Sequence, residues 1–264
     1  MCCLHIIFCY VSIKYDSTEE PAINSNSKDN LMLNELQSKT DLAGFLGLSL
    51  EKLDFFVNPS SMYDLYRYKL IPKRNGGYRE LLIPRSDLKK VQRIISKELE
   101  KSYSPLPCVH GFVKGRSIRT NAETHIGSQV IAGIDIKDFF PSISSKRVYG
   151  LLVSKKLGLA SEVAFYVSRL VATPKGLPQG APSSPLISNM ICLGMDKQLM
   201  HLSHEYHYQY TRYADDLTFS FNSSFYFYRH FCSDEKLRLP NKLRNAITDF
   251  HGTESFEINE NKSF

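Results

Sequence analysis

The stretch Tyr210-Thr-Arg-Tyr-Ala-Asp-Asp-Leu-Thr-Phe-Ser220 decides how this chain is read. Tyr208, Tyr210 and Thr211 lead into it, and Leu217, Phe219 and Phe221 alternate with Thr218 and Ser220 on the way out. A period of two buries one face of a strand and exposes the other, so the stretch predicts a β-hairpin with Asp215 and Asp216 at its turn. Two adjacent carboxylates repel each other unless a cation or basic group lies opposite, which marks the pair as a candidate site. Taken alone, a solvated Asp-Asp turn is the competing reading.

A third acid shifts that balance. Val130-Ile-Ala-Gly-Ile-Asp-Ile136 reads as a strand ending near Asp135, with Lys-Asp-Phe-Phe-Pro141 following. Carboxylates at two strand ends can share hard cations, which take oxygen ligands, including a backbone carbonyl such as that of Ile136, and are completed by substrate phosphates. Two Mg²⁺ ions roughly 3.5–4 Å apart would stabilise the attacking and leaving oxygens of an in-line displacement at phosphorus. Asp135, Asp215 and Asp216 are therefore the candidate catalytic and metal-holding residues, with Ile136 a further ligand through its carbonyl.

Composition agrees with such chemistry on a polyanion. The chain has 264 residues, 42% hydrophobic and 23% charged, which suits a globular fold of one or two domains. The net charge of +6 hides an asymmetry: residues 67–119 hold fourteen Lys or Arg, Arg116 among them, against four acids. A local excess of this size suits a nucleic-acid backbone, although a solvated helix face explains Lys89, Lys90 and Lys97 nearly as well. Six cysteines, at 2, 3, 9, 108, 192 and 232, show no paired metal spacing and read as cytosolic thiols. The apolar run Leu4–Ile13 is too short for a bilayer span and lacks a basic leader, so neither membrane insertion nor export is expected and the location reads as cytoplasmic.

Five ordered blocks then carry a resemblance. They are Tyr68-Lys-Leu-Ile-Pro-Lys-Arg-Asn-Gly-Gly-Tyr-Arg79, Val109-His-Gly-Phe-Val-Lys-Gly-Arg-Ser117, Ile134-Asp-Ile-Lys-Asp-Phe-Phe-Pro-Ser-Ile143, Gly176-Leu-Pro-Gln-Gly-Ala-Pro-Ser-Ser-Pro185 and Tyr213-Ala-Asp-Asp216. In order and spacing they resemble a bacterial reverse transcriptase, most closely of the retron type, over about residues 42 to 262. Asn121-Ala-Glu-Thr-His125 is similar to the Asn-Ala-x-x-His element typical of retron enzymes. The resemblance implies an α+β right-hand polymerase with fingers and palm, the palm an antiparallel sheet packed on helices, and an RNA-directed DNA polymerase using two Mg²⁺. It also implies an RNA template, a DNA product, dNTP substrates, a possible effector protein and a role in phage defence. Three regions are expected: 1–40, a disordered polar extension; 41–130, fingers with a basic surface; and 131–264, a palm stopping before the primer-grip and thumb. Alternatives are a thumbless fragment that binds RNA or protein without polymerising, and a reverse transcriptase of an abortive-infection or group II intron system.

Periodicity places the blocks. Asp41–Leu53 reads as a helical entry, Ser86–Lys101 as a helix with Leu88, Val91, Ile94, Ile95 and Leu99 on one stripe, and Asn75-Gly-Gly77 as a hairpin turn between strands. Ser145–Leu157 reads as a helix stopping at Gly158. Ser184-Pro185 starts a helix with Ile187, Met190, Ile191, Met195 and Leu199 inward. By resemblance, Lys73 and Arg79 reach the incoming triphosphate, Gln179 contacts the nucleotide or template, and Lys262 lies near the leaving pyrophosphate. Phe140 is similar to the aromatic gate under the sugar, with Phe139 beside it a core candidate. Arg116, Asn121 and His125 are the expected nucleic-acid contacts.

Overall fold

A computed structural model describes residues 32–72, 76–233, 236–248, 256–260 and 262–263. The expected disordered extension thus lies outside the described residues as far as position 31, and so does Lys73. From there on the chain is packed: Leu33 and Leu36 are buried, so ordered structure begins before residue 41. The predicted entry helix is two helices, α1 (Lys39–Leu46) and α2 (Leu50–Val57), because Gly47 adopts a left-handed φ of +66° and closes the first. Ser38 caps α1, accepting from the Asp41 N–H while the Asp41 carboxylate takes the Ser38 N–H.

After a one-turn helix α3 (Met62–Leu65), strands β1 (Tyr66–Pro72) and β2 (Tyr78–Pro84) pair antiparallel, with Pro72 opposite Tyr78 at the turn. Helix α4 (Ser86–Glu100) buries Leu88, Val91, Ile95 and Leu99 as its periodicity predicts. Gln92 shares that stripe; its amide donates to Tyr66 Oη at 3.1 Å and Leu170 O at 2.9 Å, tying α4 to its neighbours.

The second half alternates: α5 (Ile118–Glu123), β3 (Val130–Lys137), α6 (Ser145–Leu152), α7 (Ser161–Val171), α8 (Ser184–Tyr206), β4 (Gln209–Tyr213) and β5 (Asp216–Phe221). Then follow α9 (Ser224–Phe231), the short pair β6 (Cys232–Ser233) and β7 (Lys236–Leu237), α10 (Asn241–Thr248) and β8 (Glu257–Ile258). Helix α6 stops five residues short of its predicted end. Its chain folds back so that Leu159 N–H bonds Leu152 O, which buries Leu157 and Leu159.

Strands β4, β5, β3 and β8 form one antiparallel sheet in that order. Helix α8 packs on β4, α4, α6 and α10, and its buried face carries the five apolar residues expected of it. Phe219, Phe221 and Phe231 are fully buried between sheet and helices. The fold class is thus the expected mixture of helices and antiparallel sheets. No helix among the described residues is long and apolar enough to cross a membrane.

Candidate active site

Sheet register brings the acids together. Asp135 near the end of β3 lies directly opposite Asp216 at the start of β5, so both side chains leave the same face. Asp215 sits in the turn before β5, and its carbonyl accepts the Ile136 N–H at 3.0 Å, which locks the turn to β3. Ile136 is itself opposite Ile258 of β8. The sequence-derived acids therefore occupy one patch although about eighty positions separate them in the chain.

The patch is electrostatically loaded. Asp216 keeps an exposed edge, yet desolvation of its carboxyl, followed by the charges of Asp215 and Asp135, pushes its pKa up to about 7 against the opposing pull of Lys262 and Arg79. Lys262 Nζ donates to Asp135 Oδ1 at 2.9 Å and Asn259 Nδ2 to Asp135 Oδ2 at 2.9 Å, while the Asn259 N–H bonds the Asp135 carbonyl at 2.8 Å. The bond to Asp135 raises the Lys262 pKa. Among the described residues, no three Asp, Glu, His or Cys side chains converge on a single point. The donor set nevertheless fits Mg²⁺ in kind: carboxylate oxygens, mutually repelling, on an open edge where a substrate supplies the remaining ligands.

Other predicted residues fall around this patch. Arg79 projects from β2 and is close enough to depress the Asp216 pKa. Phe139 is buried and stacks on Phe256, whereas Phe140 is half-buried and lies 6.0 Å from the Phe112 ring, which is 6.5 Å from Tyr213. Gln179 is half-buried, and its carbonyl accepts the Leu82 N–H at 2.8 Å, so its loop is bonded to the β2 arm. At the start of that loop Gly176 has φ +93°, and a Cβ there would meet Pro141 O at 2.1 Å; only glycine fits.

Two of the expected nucleic-acid contacts make hydrogen bonds inside the fold. His125 is buried against the sheet, with Nδ1 2.7 Å from Ser220 Oγ and Nε2 2.6 Å from Thr211 Oγ1; both ring nitrogens are engaged internally. Arg116 directs Nη1 at the carbonyls of Leu106, Pro107 and Val109, so that nitrogen fastens a loop. Asn121 is half-buried on α5.

Sequence reasoning missed the support behind the turn. Ala214 is buried with a left-handed φ of +57°, a conformation costing a non-glycine residue about 1 kcal/mol or more. Phe112 and Asp138, also near the acids, share the left-handed region. Arg212 and Asp196 form an ion pair with both side chains fully buried. Its signal in the sequence was a polar pair, Asn189 and Asp196, seven apart inside an apolar helix. Asn259, which holds Asp135, carried no signal of its own.

A family model described as reverse transcriptase (RNA-dependent DNA polymerase) matches residues 71–263. The chain belongs to the reverse transcriptase family. Within it, retron enzymes are its relatives. The retron Mx162 reverse transcriptase of Myxococcus xanthus is 41% identical over 210 residues, covering 73% of this chain and 43% of that protein. The retron Mx65 enzyme of the same organism is 34% identical over 247 residues, covering 86% and 54%. The retron Ec86 enzyme of Escherichia coli is 32% identical over 205 residues, covering 76% and 62%. The chain thus spans about half the length of these curated relatives. A solved telomerase structure from Candida albicans, in complex with a telomeric RNA fragment, overlaps 75% of this chain and 42% of its own at a TM-score of 0.47 and 12% identity.

Proposed function

We propose that this reverse transcriptase chain carries the nucleotidyl-transfer site of a retron-type RNA-directed DNA polymerase, which copies a structured noncoding RNA into DNA. The observation that supports this most is the register pairing of Asp135 with Asp216 beside Asp215, on an edge open to a polyanionic substrate. Asp135, Asp215 and Asp216, with the Ile136 carbonyl, would hold two Mg²⁺, which supply Lewis-acid stabilisation of the phosphoryl oxygens when bound. The protein's own contribution is positioning and charge. Arg79, with Lys73, would face the triphosphate of a dNTP, and the planar Arg fork matches phosphate oxygens in pairs. Phe140 would lie under the sugar and exclude a 2′-hydroxyl by bulk, backed by Phe112. Gln179 would border the nascent base pair. Lys262, kept protonated by its bond to Asp135, would be placed to give a proton to the leaving pyrophosphate. A cytoplasmic role in phage defence with an effector protein completes the reading, supported by the similarity to retron enzymes.

The test is dNTP incorporation on a primed RNA template. Wild-type chain is expected to extend the primer only with Mg²⁺ present, and Asp215→Asn to lose at least a thousandfold while keeping its circular dichroism. Wild-type protein that is folded and binds primed RNA but never extends it overturns the assignment.

A further inference from the structure

Directly behind the acidic turn lies a closed polar cluster. Arg212 on β4 donates Nε–H to Asp196 Oδ1 at 2.9 Å and Nη2 to Asp196 Oδ2 at 2.7 Å. Asp196 also accepts the Tyr210 hydroxyl at 2.8 Å. The third guanidinium nitrogen, Nη1, is shared between Asn189 Oδ1 at 3.0 Å and the carbonyl of Ala214 at 3.1 Å. Asn189 then donates Nδ2 to Gly111 O at 2.9 Å, and Gly111 packs so tightly that a Cβ on it would meet Ala214 N at 2.5 Å.

An ion pair that only fastened helix to strand would end at Asp196. Here one guanidinium nitrogen reaches past the pair into the turn itself. It holds the carbonyl of Ala214, the buried residue with the unfavourable left-handed φ, next to Asp215. Strain of this sort persists only where the surroundings over-determine it. A guanidinium is suited to the task because its planar fork binds a carboxylate on one edge and still presents donors elsewhere, which a lysine ammonium cannot do in fixed geometry.

We propose that Arg212, oriented by Asp196 and Asn189, is the positioning residue of the acidic turn and sets the affinity of the Asp135, Asp215 and Asp216 site for divalent cations. It touches neither substrate nor metal; it acts by fixing the backbone from which Asp215 projects. The inference rests on the metal-site reading above, and its test separates the two. Mn²⁺ binding to the full chain is followed by loss of the free-ion paramagnetic resonance signal, alongside the Mg²⁺ concentration for half-maximal dNTP incorporation. Arg212→Lys keeps the buried charge but cannot span Asp196 and Ala214 together. It is expected to fold, to bind Mn²⁺ at least fivefold more weakly and to need at least fivefold more Mg²⁺. Val163→Ala, a core change in α7, is expected to lower the melting temperature and leave both cation readings unchanged.

A folded Arg212→Lys with wild-type Mn²⁺ affinity overturns the proposal and leaves the pair a structural fastener. Should the lysine variant not fold, Asn189→Ala, which spares the ion pair, carries the same test: at least twofold weaker Mn²⁺ binding supports it, unchanged binding overturns it. Wild-type protein that binds no Mn²⁺ and incorporates no dNTP sinks the metal-site reading itself.

Discussion

Ala214 and Gly111 show how closely single residues govern this site. Because the atom a Gly111 Cβ would strike is backbone, no side-chain rotation relieves the clash. Gly111→Ala is therefore expected to cost about 1–3 kcal/mol in urea unfolding and to lower dNTP incorporation at least tenfold. Phe139 and Phe140 divide by burial: the first stacks into the core on Phe256 and the second is half-buried beside Phe112. A ring that selects by bulk is replaceable by a smaller group with loss of selection more than of rate. Phe140→Ala should narrow the preference for dNTP over rNTP at least tenfold, measured as the ratio of kcat/KM values on one template.

At the scale of elements, His125 clamps the segment after α5 to both strands of the acid-bearing hairpin through Thr211 and Ser220. A neutral imidazole has one donor and one acceptor, and two hydroxyls can satisfy both. Burial, with a smaller push from His110, lowers its pKa to about 4, below the ordinary 6.5. The folded form therefore binds the proton less readily than the unfolded chain. Its stabilising share is whole above about pH 6.5 and is lost as pH falls toward 4, amounting to roughly 2–3 kcal/mol over that span. Urea unfolding at pH 7 and pH 5 should show this loss in wild-type protein and a shallower dependence in His125→Gln. An equal pH dependence in both would remove His125 as the cause.

Across the whole molecule, the exposed edge of α4 carries Lys90, Arg93 and Lys97 on one face, and Arg67, Lys69 and Arg79 are exposed on the adjoining hairpin. Arg79 lies close enough to Asp216 to pull on its pKa, and the exposed basic row is the expected track for a polyanion's backbone. Replacing Lys90, Arg93 and Lys97 by Gln should weaken RNA binding about tenfold at low salt. It should also flatten the slope of log K against log salt by about 2 to 3. A slope equal to that of wild type would assign these three residues to a merely solvated face.

The hairpin, the strand bearing Asp135 and the apolar stripes of α4 and α8 were legible in the sequence, because side-chain periodicity and turn chemistry act over a few residues. The five ordered blocks likewise carried the family. Four things were decided only by the tertiary structure: the opposition of Asp135 and Asp216, the hold of Asn259 and Lys262 on Asp135, the burial of His125, and the reach of Arg212 from Asp196 to Ala214. Each joins groups distant in sequence or unremarkable by residue type, and their geometry exists only once sheet register and helix packing have placed them.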